Sequence, residues 1–170
     1  MSFKTDNKLE LAGYQEIILP MLIKGKFHPL FIHYGNDEIA NELQRRDIDM
    51  LVNMGNETRS VSLKVVTSLY DNIFCETISN VNTGLQGWLH YSAATEMYYL
   101  MREGKQYRLL IFYLSTLREI FIKNETLYPV AYGENKSYKT RGVLIPISDF
   151  GTDLYDTGIL VEEHEPNRKI

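Results

Sequence analysis

The chain has 170 residues, a formal charge of −4, 44% hydrophobic and 24% charged residues, which fits one ordinary globular domain over 1–170 with a polar tail from about 162. A chain of this length buries about 70% of the surface its unfolded form exposes and needs no disulfide staples. The acidic balance excludes a general polyanion-coating protein, because non-specific nucleic-acid binding rests on cations meeting phosphates, so any nucleic-acid role needs a local basic surface.

The first residues, "MSFKTDNKLELAG", hold no apolar signal core, and "IILPMLI" is too short to span a bilayer, so no membrane association and a cytoplasmic location are expected. The single cysteine, Cys75, sits in an apolar run and suits a reducing compartment. Leu9 to about Lys24 carries apolar residues at loosely helical spacing, with Pro20 as a kink or break. A second helix is expected over Asp37 to Gln44, capped by Asn36 or Asp37, with Ile39 and Leu43 four apart and Glu38 and Glu42 one turn apart.

The period then becomes strand-like. Met50 to Met54 reads as a strand, "GNET" as a turn and Ser60 to Val66 as a second strand, in which Val61, Leu63 and Val65 alternate with Ser62 and Lys64. A turn near Gly55 and Asn56 puts Asp49 opposite Ser62 and Asp47 opposite Lys64, all four on one face. A third strand is expected at Ile73 to Ile78, adjoining the first two. A loop, "SNVNTGLQGWLHYSAAT", leads to a second hairpin, Met97 to Met101 and Tyr107 to Leu114, turning at "REGK". Thr116 and Glu119 form a capping-box pair opening a helix to about Lys123. In the last strand, "RGVLIPIS", Pro146 lacks an amide donor and favours a sheet edge.

Phosphodiester hydrolysis on a hard cation needs converging carboxylates and a positive charge near the attacking water or the developing phosphorane. Asp49, helped by Asp47, starts the first strand, Lys64 sits near the end of the second and Glu76 lies within the third. Glu76 interrupts an apolar run beside Phe74, Cys75 and Ile78, and a buried carboxylate there wants a cation.

The ordered series "NELQRRDID", a variable hairpin, "SLK", and "ETISNVNTGLQGWL" resembles the PD-(D/E)XK nuclease superfamily, in its phage and bacterial endonuclease-like branch, over about Asp37 to Leu114. The resemblance implies a restriction-endonuclease-like α/β fold, with a central mixed sheet flanked by helices, and a magnesium- or manganese-dependent endonuclease acting on DNA in the cytoplasm, the host's if phage-encoded. It implies Asp49 as a metal ligand, Lys64 as the lysine that positions water, and Glu42 as a helix glutamate reaching the metal through water. Ser62 departs from the pattern, since that position should be an acid, and Glu76 is the natural substitute as the second metal ligand. Members are often dimers, because each site cuts one strand, so a homodimer is among the expectations.

Plainer readings stand beside these. Asp47 and Asp49 fit a solvated strand entrance, Lys64 an outer-face lysine, and Glu76 a structural ion pair. Trp88 reads as a core or lid aromatic, with Gln86 close to the site, and His28, His33, His90 and His164 show no ligand spacing. Arg45, Arg46 and Arg59, or Lys136, Lys139 and Arg141, could meet phosphates. With Ser62 at the acid position, a rival reading is a catalytically inactive nuclease-fold module that binds nucleic acid or a host protein. A third is a small structural or assembly protein of a phage.

Overall fold

The computed structural model describes residues 3–31, 38–134 and 137–161. The caps at Asn36 and Asp37, His33, Lys136, His164 and the polar tail from 162 lie outside the described residues.

A helical arm opens the chain: α1 (Phe3–Gly13), a π-helical turn (Tyr14–Ile18) and α2 (Leu19–Lys24). Pro20 enters at the first positions of α2. The π turn re-spaces the hydrogen-bond ladder just ahead of the residue that lacks an amide, so the proline falls at a start rather than as a break. After β1 (His28–Phe31), α3 (Glu38–Arg45) leads into β2 (Met50–Asn53) and β3 (Thr58–Val66). Then come β4 (Asn72–Asn80), β5 (Leu85–Gln86), α4 (Trp88–Tyr91), β6 (Glu96–Glu103), β7 (Gln106–Tyr113) and α5 (Leu114–Asn124). The chain continues through β8 (Val130–Glu134), β9 (Lys139–Pro146), β10 (Tyr155–Asp156) and β11 (Leu160–Val161). No helix among the described residues is long and apolar enough to cross a membrane.

The fold is α/β, with a mixed open sheet of order β1-β2-β3-β6-β7-β10, β11 also pairing with β7, and a second, four-stranded sheet of order β5-β4-β9-β8. The β2–β3 hairpin has the register expected from its turn, Met50 facing Val61 and Asn53 facing Thr58. The third expected strand does not adjoin it. β4 belongs to the second sheet, and β3 instead pairs in parallel with β6. The reason lies in composition: Met97 to Met101 of β6 are buried throughout, which suits a strand covered on both faces, whereas β4 carries Glu76, Thr77 and Ser79.

Two cores follow from that sandwiching. On one face of the large sheet, Val61, Leu63, Tyr98, Leu100 and Leu109 meet Tyr14, Ile17, Ile18 and Leu22 of the helical arm. On the other, Met97, Tyr99, Met101, Leu110 and Phe112 meet Ile73, Cys75, Val143 and Ile145 of the second sheet and Leu117 and Phe121 of α5. Alternation along β3 therefore sends Val61 and Leu63 toward the helical arm and Ser62 and Lys64 toward the second sheet. Losing a fully buried leucine such as Leu63 costs about 2–5 kcal/mol.

Two further expectations are corrected. The helix after β7 starts at Leu114, without a side-chain cap, so Thr116 lies inside it and the capping box does not form. The Leu114 amide donates to the Thr95 carbonyl, and Leu114 is buried at once, so tertiary contacts set the start. β9 is an inner strand between β4 and β8, and Pro146 is tolerated as its last residue, where the missing donor disturbs least. The β6–β7 hairpin turns at Gly104 and Lys105 between the paired Glu103 and Gln106, and φ of 60° at Gly104 lies in the left-handed region that favours glycine.

Candidate active site

Four polar side chains gather where α3 hands over to the β2–β3 hairpin. α3 closes in a Schellman motif: the Ile48 amide donates to the Leu43 carbonyl at 3.0 Å and the Asp47 amide to the Gln44 carbonyl at 2.9 Å. Asp47 occupies the left-handed position of that motif, with φ of 56°, where glycine is usual. An aspartate is among the few side chains that tolerate it, at about 1 kcal/mol. Its carboxylate is turned inward and buried, which a glycine could not supply.

Asp49 takes over where the hairpin ladder stops. Its amide donates to the Val61 carbonyl at 2.9 Å, and its Oδ2 accepts the Leu63 amide at 2.8 Å. The Ser62 hydroxyl has one proton and donates it to Asp47 Oδ2 at 2.8 Å, its 3.5 Å approach to Asp49 Oδ2 being the weaker. Lys64 Nζ donates to Asp47 Oδ1 at 2.7 Å. Asp47 is thus held by both residues of β3 that face it. Asp49 Oδ1, on a side chain buried to 8% exposure, accepts no hydrogen bond from the described residues.

Glu76 approaches from the second sheet. It sits at a bulge in the β4–β9 pairing, where the register shifts between Glu76 and Ile78, a device that re-aims a side chain. Gly87 packs directly on it: a Cβ there would lie 2.3 Å from the Glu76 carbonyl oxygen and 2.8 Å from its Cγ. Only a glycine lets α4 come so close.

These groups line a cleft of about 1300 Å³ between the sheets, rimmed by α3 and by the β4–β5 turn. Its charged lining is Glu10, Asp47, Asp49 and Glu76 against Arg45 and Lys64. Among the described lining residues carboxylates therefore outnumber cations, and the titration behaviour follows. Burial pushes Asp49 above the usual carboxylate range, the Asp47 charge adds to this, and Lys64, the Leu63 amide and Ser62 oppose it. Burial likewise raises Glu76, against the pull of Lys64, Ser79 and the Trp88 amide. Burial disfavours the Lys64 ammonium, but Asp47 first, then Asp49 and Glu10, outweigh it and hold the lysine charged well above its ordinary pKa. Tyr91 is pushed up to about 12, by burial first and then by the Asp47 charge.

The donor chemistry fits a hard divalent cation. All the acidic groups are oxygen donors, and Asp49 Oδ1 is a buried acceptor that no described residue engages. Among the described residues no three His, Cys, Asp or Glu side chains gather closely enough to form a complete cage. Magnesium does not require one, since it commonly takes one or two carboxylates and fills its octahedron with water and substrate oxygens.

The other expected residues are dispersed. Glu42 is 59% exposed and pairs with Arg45 at 3.5 Å. α3 turns Asn41, Gln44 and Arg45 to the cleft, and Glu42 falls outside that lining because positions three and four apart share a helix face. Arg46 is exposed, while Arg59 is bound to Glu57 and the buried Glu96 and lies 5.7 Å from the Tyr113 ring, so it is a structural cation. Lys139 pairs with Glu134 at 3.1 Å, and Arg141 sits beside it on β9, apart from the cleft lining. The expected basic sets thus do not form a continuous stripe with Arg45. His90 packs edge-on to Phe121, and Trp88 is buried in the core while Gln86 lines the cleft.

Glu10 and Tyr91 line the cleft without having been picked out from the sequence. Glu10 lies in an irregular helical pattern, and Tyr91 in a Ser- and Asn-rich stretch that reads as loop, so neither carried a local signal. The principal partner of Lys64 proves to be Asp47, which the hairpin register, carried on past its last pair at Met50 and Val61, puts opposite it. No protein-family model matches this chain, and comparison with curated proteins and with solved structures finds no match.

Proposed function

We propose that this chain is a restriction-endonuclease-like, metal-dependent endonuclease that hydrolyses DNA phosphodiester bonds with Mg²⁺ or Mn²⁺. The observation that carries the reading is Asp49 Oδ1, a buried carboxylate oxygen that accepts no hydrogen bond from the described residues, in a cleft where acids outnumber bases among the described lining, beside an anchored lysine. Asp49 would hold the ion, with Glu76 from the opposite sheet and Asp47 completing the anionic wall. Asp47 then stands in for the acid missing at Ser62, reached from the end of α3 instead of from β3. A bound divalent cation supplies a polarised phosphate oxygen and a more acidic water. Lys64, held by Asp47, presents a permanent positive charge toward the charge that develops on the phosphate. Ser62 fixes Asp47 so that the lysine does not swing away.

Calorimetric titration with MgCl₂ or MnCl₂, paired with cleavage of a supercoiled plasmid, tests this. Wild-type protein is expected to take up the ion and nick the plasmid, and Asp49→Asn to do neither. Absence of ion uptake by the wild type overturns the reading.

One observation favours the rival, a non-catalytic module that binds nucleic acid or a host protein. Lys64 is already engaged by Asp47 at 2.7 Å, so the pair is satisfied without an ion. Binding of DNA without ion uptake or cutting would select that reading.

A further inference from the structure

The shortage of cations around the cleft bears on what it can hold. Proteins that track duplex DNA neutralise several phosphates, and their affinity rests on those contacts. Among the described lining residues only Arg45 and Lys64 are cationic, and Lys64 is taken by Asp47. The carboxylates also lie deep, Asp47 and Asp49 at 7% and 8% exposure, whereas the rim carries neutral polar groups, Asn41, Gln44, Thr83 and Gln86. A duplex is stiff over tens of base pairs, so its phosphates reach a recessed floor only at the expense of bending. An unpaired strand descends freely.

The aromatic side chains supply what the cations do not. Tyr91 is 45% exposed and lines the cleft, close enough to Asp47, Lys64 and Glu76 to feel their charges. It is presented on a rigid turn. Arg118 of α5 donates to the Leu89 carbonyl at 2.8 Å and to the Ser92 carbonyl at 2.6 Å, bracketing α4, while Trp88 and Leu89 are buried beneath it. An aromatic ring left half in solvent on an immobilised turn, beside the acids, is a surface on which a base can stack. Stacking depends on the π-face and not on charge, so it can add affinity where phosphate contacts are few.

We infer that the cleft takes single-stranded or locally unpaired nucleic acid, with Tyr91 as the platform on which a base next to the bound phosphate stacks. This rests on the proposed nuclease reading for the phosphate at the floor, but the stacking contact is separable from catalysis.

The experiment measures fluorescence anisotropy of a short labelled oligodeoxythymidylate, and of a duplex of the same length, in CaCl₂, with cleavage of both followed in MnCl₂. The single strand is expected to bind about tenfold or more tighter than the duplex, Tyr91→Ala to lose about tenfold of that affinity, and Tyr91→Phe to keep it. The salt dependence is expected to be shallow, with a log–log slope no steeper than about −1.4 for two phosphate contacts. Equal or tighter duplex binding, an unchanged Tyr91→Ala, or failure to bind either oligonucleotide overturns the inference. Tyr91-dependent single-strand binding without ion uptake or cleavage overturns only the nuclease reading. Duplex cleavage indifferent to Tyr91→Ala overturns only the stacking.

Discussion

At the Thr58 end of β3, Arg59 donates to Glu57 and to the buried Glu96 and lies against the Tyr113 ring. At the Val66 end, Lys64 meets Asp47, while Asp49, Glu76 and Glu10 share the same cleft. Both clusters are ionic, partly buried and built on the same strand, yet the first surrounds one cation with its own acids and an aromatic ring. The second has more carboxylates than cations among the described lining residues, and the buried Asp49 Oδ1 accepts no hydrogen bond from them. The proposed function reads that difference as one cluster that ties two strands together and one that takes up a cation. Desolvated charge is expensive, and perturbed acids gathered in a cleft are a common mark of a functional site.

Three substitutions sharpen or break that contrast. Lys64→Met should have the largest effect, because it leaves Asp47 and Asp49 buried without their cation. Destabilisation of about 3 kcal/mol is expected in a denaturant titration, at the low end for a broken buried pair since the Lys64 side chain keeps 22% exposure. Cleavage should fall by about a hundredfold or more. Arg59→Met should cost about 2 kcal/mol by stranding Glu96, and leave ion uptake and cleavage unchanged. If Arg59→Met abolishes cleavage as Lys64→Met does, the two ends are not functionally distinct.

Asp49→Asn should have the smallest effect on stability and one of opposite sign. The amide oxygen can still accept the Leu63 amide while the buried charge is gone, so a gain of about 1 kcal/mol at neutral pH is expected. Because burial raises the Asp49 pKa in the folded protein, the native state binds its proton more tightly than the unfolded chain. Its contribution is therefore most favourable at acidic pH and declines as pH rises from the ordinary aspartate value through the raised one. Melting temperatures followed across that window without metal should show a flatter decline in Asp49→Asn than in wild type. A variant less stable than wild type at neutral pH would show that Asp49 is a structural ion, like Glu96.

How much of this was legible follows from the range of each interaction. The β2–β3 register came from turn position and alternation, both local, and with it the pairing of Asp47 with Lys64. The neighbour of β3 did not, because β4 and β6 both read as strands and only the burial of both faces of β6 decides which enters the centre. Glu76 was recognised as a carboxylate out of place, but its route to the cleft runs through a bulge and the close approach of Gly87. The sequence offers Arg59 as a phosphate contact because its partner Glu96 is distant in sequence.

By itself the sequence determined the alternation that sends Ser62 and Lys64 to one face, the hairpin that brings the two aspartates beside them, and an acidic chain poor in basic tracts. The tertiary structure alone decided that a second sheet closes over that face, that Glu10 and Tyr91 join it, and that Arg59 does not. Backbone period is set by neighbouring residues, whereas the balance of charge in a cleft is a sum over segments that meet only after the sheets have packed.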